Sequence, residues 1–201
     1  MCQRAIWLDK GGLKADGPAG EVVREYLDSG HKGGALYTPE RHLGYEDLII
    51  EAMLIKNTRG EITSTIPSGE DFTVEVHYEA LKRLPRPYFW LAVRSRFGSL
   101  FGANMLLDGI RPDFIEGRGV IGCTFSGIRM LPQAYTIRLG VREQNAVTNL
   151  TWTNPEVGFS ITGDSRELGL RGEIAHNFYE DFYPLLVPYK WHLPDGRTIS
   201  L

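Results

Sequence analysis

The sequence predicts an all-β fold, an immunoglobulin-like antiparallel β-sandwich with a short strand and helix appendage at its N-terminus. Three observations carry this. From Leu48 onward at least seven short strand-like runs follow one another, each bounded by turn residues. Helical crossovers between them are missing, which argues against a parallel sheet. Twenty-three glycines and eleven prolines supply the turns that such a fold needs.

The first thirty residues read differently from the rest. Arg4-Ala5-Ile6-Trp7-Leu8 is a short strand that ends at Asp9-Lys10-Gly11-Gly12, and Leu13-Lys14-Ala15 is placed to return beside it. Gly17-Pro18 reads as a helix start, because proline in the first helical turn loses no hydrogen bond. Val22, Val23, Tyr26 and Leu27 share one face at helical spacing, and Gly30 suits the C-terminal cap. A strand pair and a three-turn helix cannot build a core by themselves, so residues 1–30 are expected to be the end of another domain. Residues 31–47 are turn-rich and polar and read as a linker.

The sandwich is expected over residues 48–201. Leu48 to Asn57 is its first strand. Phe72 to Glu79 alternates cleanly, with Phe72, Val74, Val76 and Tyr78 toward a core and Thr73, Glu75, His77 and Glu79 away from it. Tyr88 to Ser95 follows, then a hairpin turn at Arg96-Phe97-Gly98-Ser99 and a strand over Leu100 to Leu107. Gly119 to Ser126 and Ala134 to Arg142 come next, the latter with Tyr135, Ile137, Leu139 and Val141 inward. Weaker signals occupy Val147 to Trp152 and Val157 to Thr162. The aromatic-rich tail ends in two short strands, around Val187 to Leu193 and Arg197 to Leu201.

Composition excludes several classes. With 42% hydrophobic and 23% charged residues, the 201-residue chain can bury a core as one domain plus an appendage. A net charge of −3 argues against a general nucleic-acid binder. No apolar run approaches the roughly 18–20 residues that span a bilayer, and Gln3, Arg4, Asp9 and Lys10 interrupt any signal-peptide core. Cys2 and Cys123 cannot form a disulfide framework, so a reducing compartment is expected. His31, His42, His77, His176 and His192 show no paired metal spacing, and neither a metal nor a cofactor is expected. Cys123 alternates with Ile121 and Phe125 and reads as a buried small hydrophobe rather than a nucleophile. The sequon Asn149-Leu150-Thr151 carries no weight without a secretory signal.

The N-terminal segment from Arg4 to Gly11, with Gly17-Pro18-Ala19 and Glu21 to Leu27, resembles the last part of an ABC-transporter ATPase domain. The β-region resembles the C-terminal domain appended to ATPase subunits of Wzt-type polysaccharide exporters. The residues that match are Pro67-Ser68-Gly69-Glu70, Gly98 with Gly102-Ala103-Asn104, Gly119-Val120 leading to Phe125, Leu131 with Tyr135, Phe159 to Gly163, and Lys190-Trp191. Ala134 departs from the glycine that this family usually carries before the tyrosine. No Gly-x-x-x-x-Gly-Lys-Ser/Thr loop is present, so this chain is not expected to hydrolyse ATP, and it reads as a fragment of a longer ATPase subunit. The resemblance implies a non-catalytic module at the cytoplasmic face of the membrane that binds an O-antigen-like glycan near its non-reducing end. It also implies a homodimer that exchanges C-terminal strands, and a transmembrane transporter subunit as partner through the ATPase domain.

Sugar recognition needs an apolar ring for the sugar face and planar polar groups for its hydroxyls. On Tyr88 to Arg94, inward Phe89, Leu91 and Val93 leave Tyr88, Trp90, Ala92 and Arg94 on the opposite face. Glu75 and His77, then Arg138 and Arg142, are expected beside them, with Gly122 and Thr124 leaving room. The same pattern fits a Trp90 covered by a loop or a dimer partner, with Arg94 merely paired to a carboxylate. Trp152, followed by Thr153 and Asn154, is a second aromatic–amide candidate at a strand end, though a tryptophan there also packs. In Phe178-Tyr179-Glu180-Asp181-Phe182-Tyr183 the adjacent carboxylates would point to opposite faces of a strand, unlike a glycosidase pair. Three readings therefore stand: a carbohydrate-binding module, a structural dimerisation domain of the same subunit, and a glycan-modifying enzyme that lacks an evident acid/base pair.

Overall fold

A computed structural model describes residues 3–9, 11–19, 22, 47–151, 154–164, 168–170 and 184–200. Its first element is a hairpin of β1 (Arg4–Asp9) and β2 (Gly12–Pro18), turned at Gly11, which has φ 81°. Arg4 grips Asp16 across the pair through Nε and a terminal nitrogen at 2.8 and 2.9 Å. Gly17 and Pro18 close β2 opposite Ala5 and Arg4, and the next residue, Ala19, is already helical. Proline fits there because it ends the strand, where a missing N–H costs no ladder bond. The helix expected beyond it falls almost wholly outside the described residues.

Two packed sheets form the sandwich. One holds three antiparallel strands in the order β3 (Leu48–Lys56), β5 (Phe72–Pro85) and β8 (Phe114–Phe125). The other holds five, in the order β4 (Thr65–Pro67), β10 (Glu156–Thr162), β9 (Ala134–Arg142), β6 (Tyr88–Ser95) and β7 (Gly98–Asn104). All neighbours are antiparallel except β4 and β10, which run parallel. The all-β sandwich predicted from the strand pattern is the fold observed.

Alternation sets the core. Val74, Val76, Phe89, Val93, Ile137, Leu139 and Phe159 point between the sheets and are buried. Rings cross the gap: Phe72 lies 5.4 Å from Phe159, Tyr78 lies 5.9 Å from Phe89, and Phe101 meets Phe125 edge-on at 5.5 Å. Such tilted and edge-on pairs add to the burial term, because ring edge and ring face carry opposite partial charge. Cys123 packs half-buried against this core, and burial pushes its thiol pKa up.

Several boundaries differ from the sequence reading. Strand β5 runs on to Pro85 and β8 begins at Phe114, because a register shift between Ala80 and Leu84 lets the pair continue past its break in alternation. Strand β7 stops at Asn104. There the Asn104 side chain accepts a hydrogen bond from the Leu106 amide at 3.0 Å, and a one-turn helix α1 (Met105–Asp108) ends on Gly109 at φ 70°. The capping asparagine and glycine outweigh the apolar run that read as strand. Residues 147–151 are not a strand: Asn145 Oδ1 accepts from the amides of Val147 and Thr148 and folds the segment into a loop, with a single bridge between Arg142 and Asn149.

The start of β9 carries a tyrosine corner. The hydroxyl of buried Tyr135 donates toward the carbonyls of Leu131 (2.7 Å) and Pro184 (2.8 Å), and Gln133 donates to it at 3.0 Å. Beside it the amides of Leu131 and Leu186 bond the carbonyls of Pro184 and Arg129, which fixes residues 184–186 to the sandwich. The chain then forms a hairpin of β11 (Lys190–His192) and β12 (Thr198–Ser200). Burial pushes the Tyr135 pKa up to about 12 from 10, against the lowering effect of Gln133. Because the folded value lies above the unfolded one, this contribution to stability is full below pH 10 and is lost as pH rises through about 12. Tyr135→Phe is expected to lower unfolding free energy in urea by about 1–3 kcal/mol at neutral pH and to shrink the alkaline loss.

Candidate functional site

The outer face of the five-stranded sheet is built by the residues that alternation turns away from the core. On β6 these are Trp90, Ala92 and Arg94; on β9, Thr136, Arg138 and Gly140; on β10, Glu156 and Gly158; on β7, Ser99, Gly102 and Asn104. Register aligns them in rows across the sheet: Gly140, Trp90 and Asn104; then Glu156, Arg138, Ala92 and Gly102; then Gly158, Thr136, Arg94 and Ser99. Most members are small, so the few large side chains stand on an open floor.

Trp90 lies across its neighbour in the sheet. A Cβ added at Gly140 would overlap the Cε2, Nε1 and Cζ2 atoms of the indole, so only glycine lets the ring rest flat on β9. The core repeats the device, with Tyr78 laid over Gly119. There the aromatic is buried, whereas Trp90 stays partly exposed.

Charge sits beside the indole. Glu156 Oε1 accepts from Arg94 at 3.1 Å and, at closer range, from Arg138 Nε. Ala92, opposite Arg138, leaves the space through which both guanidiniums converge. Glu156 did not stand out in the sequence. Its only signal is its place at the head of β10, and linking it to Arg138 needs the register of β9 against β10.

The predicted site residues therefore divide. Trp90, Arg94 and Arg138 come together. Tyr88 shares their face by parity but is buried beneath the 143–150 loop, its hydroxyl donating to the Ala146 carbonyl at 2.9 Å. Arg142 holds the same loop through Ala146 O (3.1 Å) and Asn149 Oδ1 (3.2 Å). Glu75 and His77 are not beside Trp90, because β6 pairs with β7 and β9 whereas β5 belongs to the other sheet. They lie on the far side of the sandwich, where Glu75 Oε2 meets Lys56 Nζ at 2.8 Å and His77 Nε2 at 3.2 Å. The Lys56 bond, aided by His77 and opposed by partial burial, holds the Glu75 carboxyl below its ordinary value. Gly122 and Thr124 accompany that second face as well. Trp152 lies outside the described residues, as do Glu180 and Asp181. Among the described residues no group of three His, Cys, Asp or Glu side chains is placed to hold a metal, and no helix is long and apolar enough to cross a membrane.

Fold and corner together define an immunoglobulin-like β-sandwich domain. The family model for the Wzt C-terminal domain matches residues 40–172, more than half of the 201-residue chain. The chain belongs to that family. The crystal structure of the C-terminal domain of Wzt shares the fold with a TM-score of 0.52 at 12% identity, over 67% of this chain and 84% of that one. Weaker likenesses are a Niemann-Pick type C2 protein from Japanese carpenter ant (TM-score 0.43, 10% identity, 62% of this chain and 100% of that one) and a CARDB domain from Pyrococcus furiosus (0.38, 14%, 62% and 100%). No curated protein matches the chain.

Proposed function

We propose that this sandwich is the glycan-recognition module of a polysaccharide ABC exporter's ATPase subunit. It holds an O-antigen-like chain near its non-reducing end, without chemistry, on the outer face of the five-stranded sheet. Family membership supports the exporter role. The observation that carries the site is Trp90, laid flat over Gly140 and partly exposed among small residues with two arginines in reach. An aromatic face flanked by planar hydrogen-bonding groups is what a pyranose ring and its substituents require. Glu156 is the one carboxylate among the described residues of that face, and two arginines occupy it. It has no second carboxylate to work with as acid or base. Residues 1–30 are the trailing edge of the ATPase domain and 31–47 its linker, which puts the module in the cytoplasm at the inner face of the membrane. The test is titration of the purified protein with the polysaccharide of its own cell surface. Saturable binding without turnover supports the reading, and the absence of binding at any concentration refutes it.

The terminal hairpin favours a homodimer. Trp191 is 63% exposed, Tyr189 packs edge-on against it at 6.1 Å, and Val187 and Ile199 are exposed as well. So many large apolar groups on a two-stranded element and the segment leading into it call for a covering partner, and a second sandwich provides one through exchange of the tail. Removing residues 187–201 is expected to convert a dimer into a folded monomer on size exclusion. A truncated protein that remains dimeric contradicts the exchange. Two modules held together would raise avidity for a glycan long enough to reach both.

A further inference from the structure

The charged side chains on the outer face of the five-stranded sheet are unequal in sign. Among the described strand residues they are Arg94, Arg138 and Arg142 against Glu156 alone. Arg94 and Arg138 share one carboxylate oxygen, so that cluster retains a positive charge. Among the described residues Arg142 meets only the neutral acceptors Ala146 O and Asn149 Oδ1. A guanidinium has five N–H donors and no acceptor, and its fork matches the oxygens of a carboxylate or phosphate. Arg94 and Arg138 each spend one nitrogen on Glu156, which leaves donors on both.

Position matters as much as charge. Arg138 stands opposite Ala92, two residues along from Trp90 and one strand across, about 8 Å away by strand geometry. One sugar ring stacked on Trp90 can therefore present a ring substituent to Arg138 and Arg94. Reading neutral hydroxyls alone would call for acceptors as well as donors, and on these rows the charged groups are almost entirely donors.

We infer that the sugar unit seated on Trp90 carries an oxyanion, a carboxylate or a phosphate, received by Arg94 and Arg138. Glu156 acts as a positioning residue that holds the two guanidiniums convergent. This rests on the glycan reading above and names the class of glycan.

The probes are methyl α-glucoside, methyl α-glucuronide and glucose 6-phosphate, added to the 15N-labelled protein at low salt. The readouts are the Trp90 indole N–H and the Nε–H signals of Arg94 and Arg138. At least one anionic sugar is expected to shift all three signals together, with an affinity about tenfold or more above that of the neutral glucoside. Added salt narrows that ratio. In R94Q/R138Q the ratio falls to about one, while R94K/R138K retains part of it, since charge persists without the fork. Near-UV circular dichroism shows whether each variant is folded. The glucuronide and phosphate arms tell which oxyanion is preferred. Equal affinity for all three sugars, or no shift at Trp90 with either anionic sugar, overturns the inference. Binding of the intact polysaccharide is measured separately and decides the glycan reading on its own.

Discussion

Trp90→Ala is expected to weaken polysaccharide binding by about thirty-fold or more, the loss typical of removing a central tryptophan anchor. The indole offers the largest apolar surface on the outer face, and its neighbours there are Gly140, Asn104, Ala92 and Gly102, none of which could replace it. Because Trp90 lies outside the inter-sheet core, the variant should unfold within about 1 kcal/mol of the parent. Gly140→Ala is the companion variant. It keeps the tryptophan but puts a methyl where the ring now rests, so it too should weaken binding by tilting the stacking surface. Unchanged affinity in Trp90→Ala would remove the indole from the site, whatever the glycan.

Phe159→Ala has the largest expected effect on stability. The ring is wholly buried at the meeting of the sheets, 5.4 Å from Phe72 and 5.7 Å from Tyr135. Truncation removes its transfer energy and leaves a cavity that neighbours tied into two sheets cannot fill, at a cost of about 3–5 kcal/mol. Against a usual total of roughly 5–15 kcal/mol this is a large fraction. The melting temperature should fall by about 10 °C or more. It would also loosen the tyrosine corner, because Tyr135 packs on the lost ring. A loss below about 1 kcal/mol would mean that the sheets do not close over Phe159 as described.

How far the sequence foretells this molecule depends on the range of the interactions involved. Strands β6 and β9 have the limits that alternation predicts, Tyr88–Ser95 and Ala134–Arg142, because one buried face dictates a period of two. Inward and outward residues on β6 follow for the same reason. Strand β4 left no pattern, since three residues ending in Pro67 are too few to alternate. The turn of helix at Met105–Asp108 was hidden by its own leucines, although Asn104 and Gly109 were available as caps. Sheet membership departs furthest from the sequence pattern. Glu75 and His77 point outward as expected, but which strand neighbours β6 is decided by long-range packing, and that put them on the opposite side from Trp90. For the same reason Glu156 stayed hidden: a carboxylate becomes an arginine partner only once β10 has found its register on β9.

The two outer faces also supply the most direct test. Amide and indole shifts of the 15N-labelled protein can be followed while its own cell-surface polysaccharide is added. The perturbed signals are expected to cluster at Trp90, Ala92, Arg94, Asn104, Arg138 and Gly140. Perturbation centred on Lys56, Glu75, His77 and Val120, on the outer face of the three-stranded sheet, would contradict this.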